Sequence, residues 1–203
     1  LLQRKRPEEA QSSFQRIDDL IERMGAITKQ LKSYARKGGD TLLEVDLREA
    51  VSGSLSMMEP QLKRGDTLVD VTLPDEPVMV IADRVRLEQV IINLFRNALD
   101  ATRSAAQPKI EIMLHAGETA TLSLRDNGDG IENLDELFEP FYTTKQPGEG
   151  VGLGLAISSS IVTELGGSLT ARNGQSGGAV VEMQLPMHNS AHSSESKRSP
   201  APD

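Results

Sequence analysis

The chain has 203 residues, of which 37% are hydrophobic and 26% charged, as expected for one globular domain with an appendage. It contains no cysteine, which excludes disulfides, zinc–thiolate sites and thiol nucleophiles. The net charge of −8 leaves no basic face that could follow a phosphate backbone, so we expect no nucleic-acid partner.

The first predicted element is one long helix over residues 7–37, ended by Gly38 and Gly39. Its apolar or small residues recur at alternating spacings of three and four: Ala10, Phe14, Ile17, Ile21, Met24, Leu31 and Ala35. A second row of Leu20, Ile27 and Tyr34 widens this stripe and favours a four-helix bundle over a two-stranded coiled coil. A single helix cannot bury such a stripe, so we expect dimerisation; packing on its own domain is the alternative. Residues 1–3 resemble the end of a preceding helix.

After residue 40 the pattern alternates between strands and helices. Strands are predicted over 42–47, 67–73, 78–81, 110–114, 121–124, 169–171 and 180–185, and helices over 48–64, 85–102 and 152–165. Turns at 116–117 and 173–178 predict hairpins. These elements predict an α/β sandwich, a mixed sheet covered by helices on one face. The expected domains are a dimerisation segment (1–39), a catalytic domain (40–187) and a disordered tail (188–203).

The segment LEQVIINLFRNALDA (87–101) places Asn93 and Asn97 four residues apart, on one face of the predicted helix. The core side of this helix is predicted to hold Val85, Val90, Ile91, Leu94, Phe95, Ala98 and Leu99. Asparagine is a poor helix residue and its buried amide needs a partner. Bonding to nearby backbone is one explanation; a side-chain oxygen that ligates Mg²⁺ is the other.

The segment DNGDGI (126–131) directly follows a predicted strand. Gly128 and Gly130 permit close approach of a flat ligand, and Asp126 could accept a hydrogen bond from an exocyclic amine such as that of adenine. The alternative is an ordinary Asn-Gly hairpin turn.

Two further segments complete the set. LFEPFYTTK (137–145) concentrates aromatic residues in a predicted loop, where Phe138 is expected to plug the core and Lys145 to reach a phosphate. GEGVGLGL (148–155) runs into a helix expected to begin at Gly152, and free N–H groups at a helix N-terminus favour anions. The glycine spacing fits neither a dinucleotide-binding fingerprint nor a Walker loop. It suggests a mobile lid, with a flexible linker as the alternative.

Together these four segments resemble the ATP-binding domain shared by sensor histidine kinases, DNA gyrase, Hsp90 and MutL. The aromatic segment and the phrase GVGLGLAISSSIVTELGG are similar to the histidine kinases. The segment RMGAITKQLKSYARK resembles the second helix of their dimerisation domain, in the manner of the C4-dicarboxylate sensors.

By that resemblance, Asn97 ligates Mg²⁺ with help from Asn93, and Asp126 binds the adenine amino group of ATP. Asn93 and Lys145 are the expected catalytic residues. The resemblance implies that ATP is also lined by Gly128, Gly130, Ile131, Thr144, Gly150, Val151, Gly152, Leu153 and Gly154.

Two departures from the family pattern matter. ATP-hydrolysing relatives carry a glutamate that activates water four residues before the metal-binding asparagine, and this chain has Asn93 there. That favours transfer to a side chain over hydrolysis. Many kinases carry Lys and an aromatic residue where this chain has Asp100 and Ala101, which puts a role for those positions in doubt.

The resembling kinases phosphorylate a histidine on the first dimerisation helix. His115 lies in a predicted strand, and His188 and His192 lie in the tail, so we expect a fragment that begins after the acceptor helix. The implied function is transfer of the γ-phosphoryl of Mg·ATP to that histidine, for relay to a response regulator receiver domain. The implied full-length protein is a homodimer in the bacterial inner membrane, and this fragment is cytoplasmic, with membrane contact only through other segments. The alternatives are a nucleotide-gated interaction module without transferase activity and an ATP-hydrolysing clamp.

Overall fold

The computed structural model describes residues 25, 42–62, 66–145 and 150–188. Gly25 is helical. The rest of the predicted helix over 7–37, the segment before it and the tail from residue 189 lie outside the described residues.

The described elements follow the predicted order. In chain order they are β1 (Leu43–Asp46), α1 (Leu47–Leu62), β2 (Leu68–Thr72), β3 (Met79–Ala82), α2 (Arg84–Ala101), β4 (Lys109–Ala116), β5 (Thr119–Asp126), α3 (Gly154–Glu164), β6 (Ser168–Asn173) and β7 (Ala179–Pro186). A single 3-10 turn, Thr102–Ser104, follows α2.

Five of the strands form one mixed sheet in the order β2-β4-β5-β7-β6. Only β2 and β4 are parallel, with Val69 opposite Ile110; the other neighbours are antiparallel. β1 and β3 pair separately as a two-stranded antiparallel sheet. The predicted α/β sandwich with a mixed sheet is confirmed, and the small second sheet was not predicted.

Helix α2 is the central helix of the domain. Asp83 caps its N-terminus by accepting hydrogen bonds from the N–H groups of Val85 and Arg86, at 2.9 and 3.2 Å. The buried side chains are Leu87, Val90, Ile91, Leu94, Phe95 and Ala98. The prediction that Val85 lies on the core side is wrong, because this side chain is 74% exposed. Val85 stands two residues before Leu87, which is about 200° around the helix and therefore on the opposite face.

In strand β5, every second residue is buried, up to and including the last one. Ala120, Leu122, Leu124 and Asp126 alternate with more exposed residues, so Asp126 shares the buried face of the strand. This face is the one against which α2 packs. The alternation therefore places a carboxylate under the helix that carries Asn97.

Helix α3 packs beside α2 on the same layer and buries Ile157, Ser158, Ile161 and Val162. The helix begins at Gly154, two residues later than predicted, because Gly152 has a positive φ of 71° and cannot continue a right-handed helix. Among the described residues, none of the helices combines the length and apolarity needed to cross a membrane.

Candidate nucleotide site

Asp126, at the end of β5, is a buried carboxylate whose two oxygen atoms differ in their hydrogen bonds. The residue is 6% exposed. Its Oδ1 accepts hydrogen bonds from the backbone N–H groups of Gly128 and Ala179, at 2.9 and 3.1 Å. Within the described residues, Oδ2 has no hydrogen-bond partner. A buried charged oxygen without a partner is costly, so this atom is suited to a ligand that donates a hydrogen bond.

The loop after Asp126 packs directly on the C-terminal end of α2. A Cβ at Gly128 would overlap the carbonyl oxygen of Ala101, so only glycine allows this approach. Ser104 Oγ also donates to Asp129 Oδ2 at 3.0 Å. The next regular element is helix α3, and the next strand, β6, pairs with β7 and not with β5. The hairpin-turn interpretation of DNGDGI is therefore wrong.

Asn173, the last residue of β6, holds the far side of the same loop. Its Oδ1 accepts from the N–H of Ile131 at 2.7 Å, and its Nδ2 donates to the carbonyl of Ile131 at 2.9 Å. A Cβ at Gly130, whose φ is 83°, would lie 2.9 Å from Asn173 Oδ1. One side chain thus satisfies both backbone groups of Ile131 and fixes the path of the loop.

We expect Asn173→Ala to weaken binding of the ATP analogue AMP-PNP by roughly tenfold or more, because two hydrogen bonds of about 1 kcal/mol each are lost from the loop. Isothermal titration calorimetry measures the affinity, and thermal unfolding shows that the fold persists. Asn133→Ala is the matched control, since the structure gives its side chain no hydrogen bond within the described residues. Equal affinities for the Asn173 variant and the wild type would contradict a positioning role.

Asn97, one turn before Ala101, contacts the ammonium group of Lys145. Lys145 Nζ donates to Asn97 Oδ1 at 3.3 Å and forms an ion pair with Asp100 Oδ2. Arg103 contacts the other oxygen of Asp100, Oδ1, at 2.7 Å. The structure therefore brings Asn97 and Lys145 together and adds Asp100, for which the sequence left a role in doubt.

Asn93 lies beside the start of α3 instead. Its Nδ2 donates to the buried Ser158 Oγ at 3.0 Å. A Cβ at Gly154 would overlap Asn93 Oδ1, so glycine at the first position of α3 lets the two helices meet. Asn93 thus connects the helix that carries Asn97 with the N-terminus of α3.

Among the described residues, a backbone hydrogen bond joins the aromatic segment to the glycine run. The N–H of Phe141 donates to the carbonyl of Gly152 at 2.9 Å. Phe141 has a positive φ of 70°, an uncommon conformation for a residue with a side chain, and it is 67% exposed. Phe138 packs partly buried against the core, as predicted.

The remaining predicted ligand residues differ in exposure. Gly150 lies against the stem of Lys145, where an added Cβ would be 3.3 Å from the Cδ atom. Thr144 is exposed. Leu153 is buried in the core and Val151 packs partly buried against it, so backbone atoms are what these two residues offer to a ligand. The cap of α3 at Leu153 makes no side-chain hydrogen bond, which leaves the first N–H groups of the helix without that partner.

The described histidines lie elsewhere. His115 pairs with Thr121, at the end of β5 opposite Asp126. The predicted tail begins at His188, but the N–H of this residue donates to the carbonyl of Met79 at 2.7 Å and its Nε2 lies 2.9 Å from Glu44 Oε1. His192 lies outside the described residues.

The site also uses residues that sequence reasoning missed: Asn173, Ser158, Gly178 and Ala179. Gly178 has a φ of 72°, and a Cβ there would overlap the carbonyl oxygen of Asp126. The signal in the sequence is the glycine pair 177–178, because adjacent glycines in a turn indicate a close approach to another segment, here the end of β5.

Residues 82–189 match the family described as histidine kinase-, DNA gyrase B-, and HSP90-like ATPases. This stretch contains α2, the DNGDGI loop, the glycine run and α3. The chain belongs to this family, and ATP is the nucleotide that the family domain uses.

Similar proteins narrow the class to the two-component sensor histidine kinases. The C4-dicarboxylate transport sensor protein DctB of Pseudomonas aeruginosa is 38% identical over 91% of this chain. DctB of Rhizobium meliloti is 37% identical over 83%. The chain covers 31% and 27% of these two relatives, respectively. The histidine kinase ThkA, solved in complex with the response regulator protein TrrA, is 26% identical, with a TM-score of 0.72 over 91% of this chain and 53% of that one. The predicted resemblance, including the C4-dicarboxylate sensors, is confirmed.

Proposed function

We propose that this chain binds Mg·ATP and delivers the γ-phosphoryl group to a histidine on a dimerisation helix, for relay to a response regulator. The observation that carries the proposal is the placement of Asp126 on the buried face of β5, beside the end of the helix that presents Asn97. Both hydrogen bonds that the described residues donate to this carboxylate go to Oδ1, which leaves Oδ2 for a ligand. A purine recognised at the strand end has its phosphates directed along α2 towards α3.

The base is assigned to the DNGDGI loop. Asp126 Oδ2 accepts a hydrogen bond from the adenine amino group. Gly128 and Gly130 let the backbone approach the flat ring, and Ile131, tied at both backbone groups to Asn173, borders it.

The phosphates are assigned to the start of α3. Free N–H groups at a helix N-terminus favour negative charge, and the backbone of Gly150, Gly152 and Gly154 leaves room for it. Thr144 and Lys145 approach from the preceding segment. Lys145 then neutralises one charge of the triphosphate.

The residues around Asn97 fit a magnesium ion. Asn97 Oδ1 and Asp100 Oδ2 already contact one cationic group, the Lys145 ammonium, and Mg²⁺ prefers such hard oxygen donors. Asn97 is the protein ligand, and Asn93 supports it from the preceding turn. Bound there, Mg²⁺ neutralises charge on the phosphate oxygens.

Transfer requires positioning more than acid–base chemistry. A neutral imidazole nitrogen attacks the γ-phosphorus with its own lone pair, and the bond from that phosphorus to the β–γ bridging oxygen breaks to release ADP. Asn93 stands where a hydrolysing enzyme needs a carboxylate base, and its amide cannot take a proton from water. This favours the kinase over an ATP-hydrolysing clamp.

The partners follow from the same assignment. We propose a response regulator receiver domain as the recipient of the phosphoryl group, in keeping with the ThkA complex. We also propose that the full-length protein is a homodimer through a four-helix bundle and is held in the bacterial inner membrane by other segments.

The test uses the whole chain, radiolabelled Mg·ATP and a separate polypeptide that carries an acceptor histidine on a kinase dimerisation helix. We expect acid-labile phosphate on the acceptor, and none on a His→Ala version of it. Phosphate release without an acceptor would indicate the hydrolysing clamp. ATP binding with neither transfer nor release would indicate a nucleotide-gated interaction module.

A further inference from the structure

The ammonium group of Lys145 lies between two side-chain oxygen atoms of α2, in an arrangement that suits a bound cation. Its ammonium contacts two oxygen atoms from neighbouring turns of α2, Asn97 Oδ1 at 3.3 Å and Asp100 Oδ2. Two oxygens that contact one ammonium converge on one point. One of these oxygens belongs to the residue that the proposed function assigns to magnesium.

The surroundings make this contact more than a loose surface pair. The side chains of Lys145 and Asp100 are 29% and 17% exposed, so water screens them only partly. Arg103 occupies Asp100 Oδ1, which directs the other carboxylate oxygen towards Lys145 and Asn97. Departure of the ammonium would leave the pair Asn97 Oδ1 and Asp100 Oδ2 facing a shared position.

We propose that Lys145 is an internal competitor of the metal: its ammonium fills the divalent-cation position in the nucleotide-free protein. Asp100 is then the second protein ligand of Mg²⁺, and it becomes available when Lys145 transfers to the triphosphate. This inference rests on the proposed function, since it concerns the same pocket.

The exchange balances charge at each stage. In the nucleotide-free protein the ammonium neutralises Asp100 and repels a second cation from the same point. A triphosphate is a more highly charged partner for Lys145 than Asp100 is, so the ammonium moves to the phosphates. The oxygen atoms of Asp100 and Asn97 are then available to bind the divalent ion. Metal and nucleotide therefore bind with positive coupling, and that coupling is reciprocal. A nucleotide lacking the γ-phosphate offers Lys145 less charge and is expected to couple more weakly.

The experiment measures binding of Mn²⁺, used as a spectroscopic substitute for Mg²⁺, to the nucleotide-free chain by electron paramagnetic resonance. We expect Lys145→Gln to bind Mn²⁺ roughly fivefold or more tightly than the wild type, because the competing ion pair is gone. Adding Asp100→Asn to this variant is expected to return the affinity to the wild-type value or below.

Lys109→Gln is the matched control. Lys109 Nζ pairs with Glu111 at 2.6 Å on the more exposed face of β4. Its substitution removes the same charge away from the site and leaves Glu111 with Arg125 at 3.8 Å, as Lys145→Gln leaves Asp100 with Arg103. Equal Mn²⁺ affinities in Lys145→Gln and the wild type, or an equal gain in Lys109→Gln, would overturn the proposal. An unchanged gain after Asp100→Asn would also overturn it.

A second measurement separates this inference from the proposed function. Wild-type AMP-PNP affinity, titrated with and without Mg²⁺, tests nucleotide binding itself, and its absence would remove the proposed function. Where the wild type binds, Asp100→Asn is expected to lower the enhancement by Mg²⁺, the ratio of AMP-PNP affinity with the metal to that without it, at least several-fold. A full Mg²⁺ enhancement in Asp100→Asn would remove only the role of Asp100.

Discussion

Asp126→Asn is expected to abolish adenine recognition while leaving the fold intact. In the wild type, Oδ1 accepts two backbone hydrogen bonds, from Gly128 and Ala179, and the asparagine oxygen can accept the same two. These bonds fix the orientation of the amide, so its NH₂ group must take the place of Oδ2. A donor then faces the adenine amino group, itself a donor. Loss of a charge-assisted hydrogen bond, about 1.5–3 kcal/mol, predicts a loss of AMP-PNP affinity of roughly 10- to 150-fold.

Calorimetry with AMP-PNP and its guanine counterpart measures this result. The introduced NH₂ can donate to the carbonyl of guanine, so we expect the preference for adenine over guanine to be lost as well. Asp129→Asn is the matched control, because it removes the same charge from the same loop but is exposed and bonded only to Ser104 within the described residues. We expect its affinity to stay within about twofold of the wild type. Unchanged AMP-PNP affinity in Asp126→Asn would refute the adenine assignment.

Asp126→Ala separates binding from folding in the same series. Alanine cannot accept from Gly128 and Ala179, and a buried N–H left without a partner, as at Ala179, costs about 1–3 kcal/mol. We therefore expect this variant to lose nucleotide binding and also to unfold at a lower temperature. The asparagine variant is expected to lose binding alone.

Local patterns were sufficient to predict the elements. The alternation along β5 and the three-four spacing along α2 each bury one face, and burial of that face decides the structure. The errors lie where a single residue overrides the pattern. Val85 is apolar, but its angular position on α2 turns it away from the core. Gly152 directly precedes an apolar helix, but its left-handed backbone excludes it from that helix.

The site was predictable where its residues lie within one segment. Asp126 is followed closely by its own glycines, and Asn97 lies on a single amphipathic helix. Contacts between distant segments were not predictable in this way. Asn173 reaches Ile131 across 42 residues, and Lys145 reaches Asp100 across 45. Neither pairing leaves a periodic signal, because it depends on how the sheet order brings a hairpin and a loop to the same helix end.

The second large effect is expected at Gly128. A Cβ there would overlap the carbonyl oxygen of Ala101, which is backbone and cannot rotate away. Gly128→Ala must therefore push the loop off the end of α2, which moves the N–H that Asp126 accepts from. We expect the free energy of unfolding to fall by about 1–3 kcal/mol, as for other overpacked sites. AMP-PNP binding is expected to weaken at least tenfold, because a displaced Asp126 loses its alignment with the base.

Chemical denaturation and calorimetry measure the two effects in parallel. Gly117→Ala provides the control: this glycine also follows a strand, but the nearest atom to an added Cβ is the His115 Nε2 at 3.4 Å, at the flexible end of a side chain. We expect wild-type affinity and a stability change within about 0.5 kcal/mol for that variant. Gly128 holds the loop against the end of α2 through its contact with Ala101. Wild-type AMP-PNP affinity in Gly128→Ala would show that nucleotide binding does not depend on this contact. The assignment of the purine to the DNGDGI loop would then be wrong.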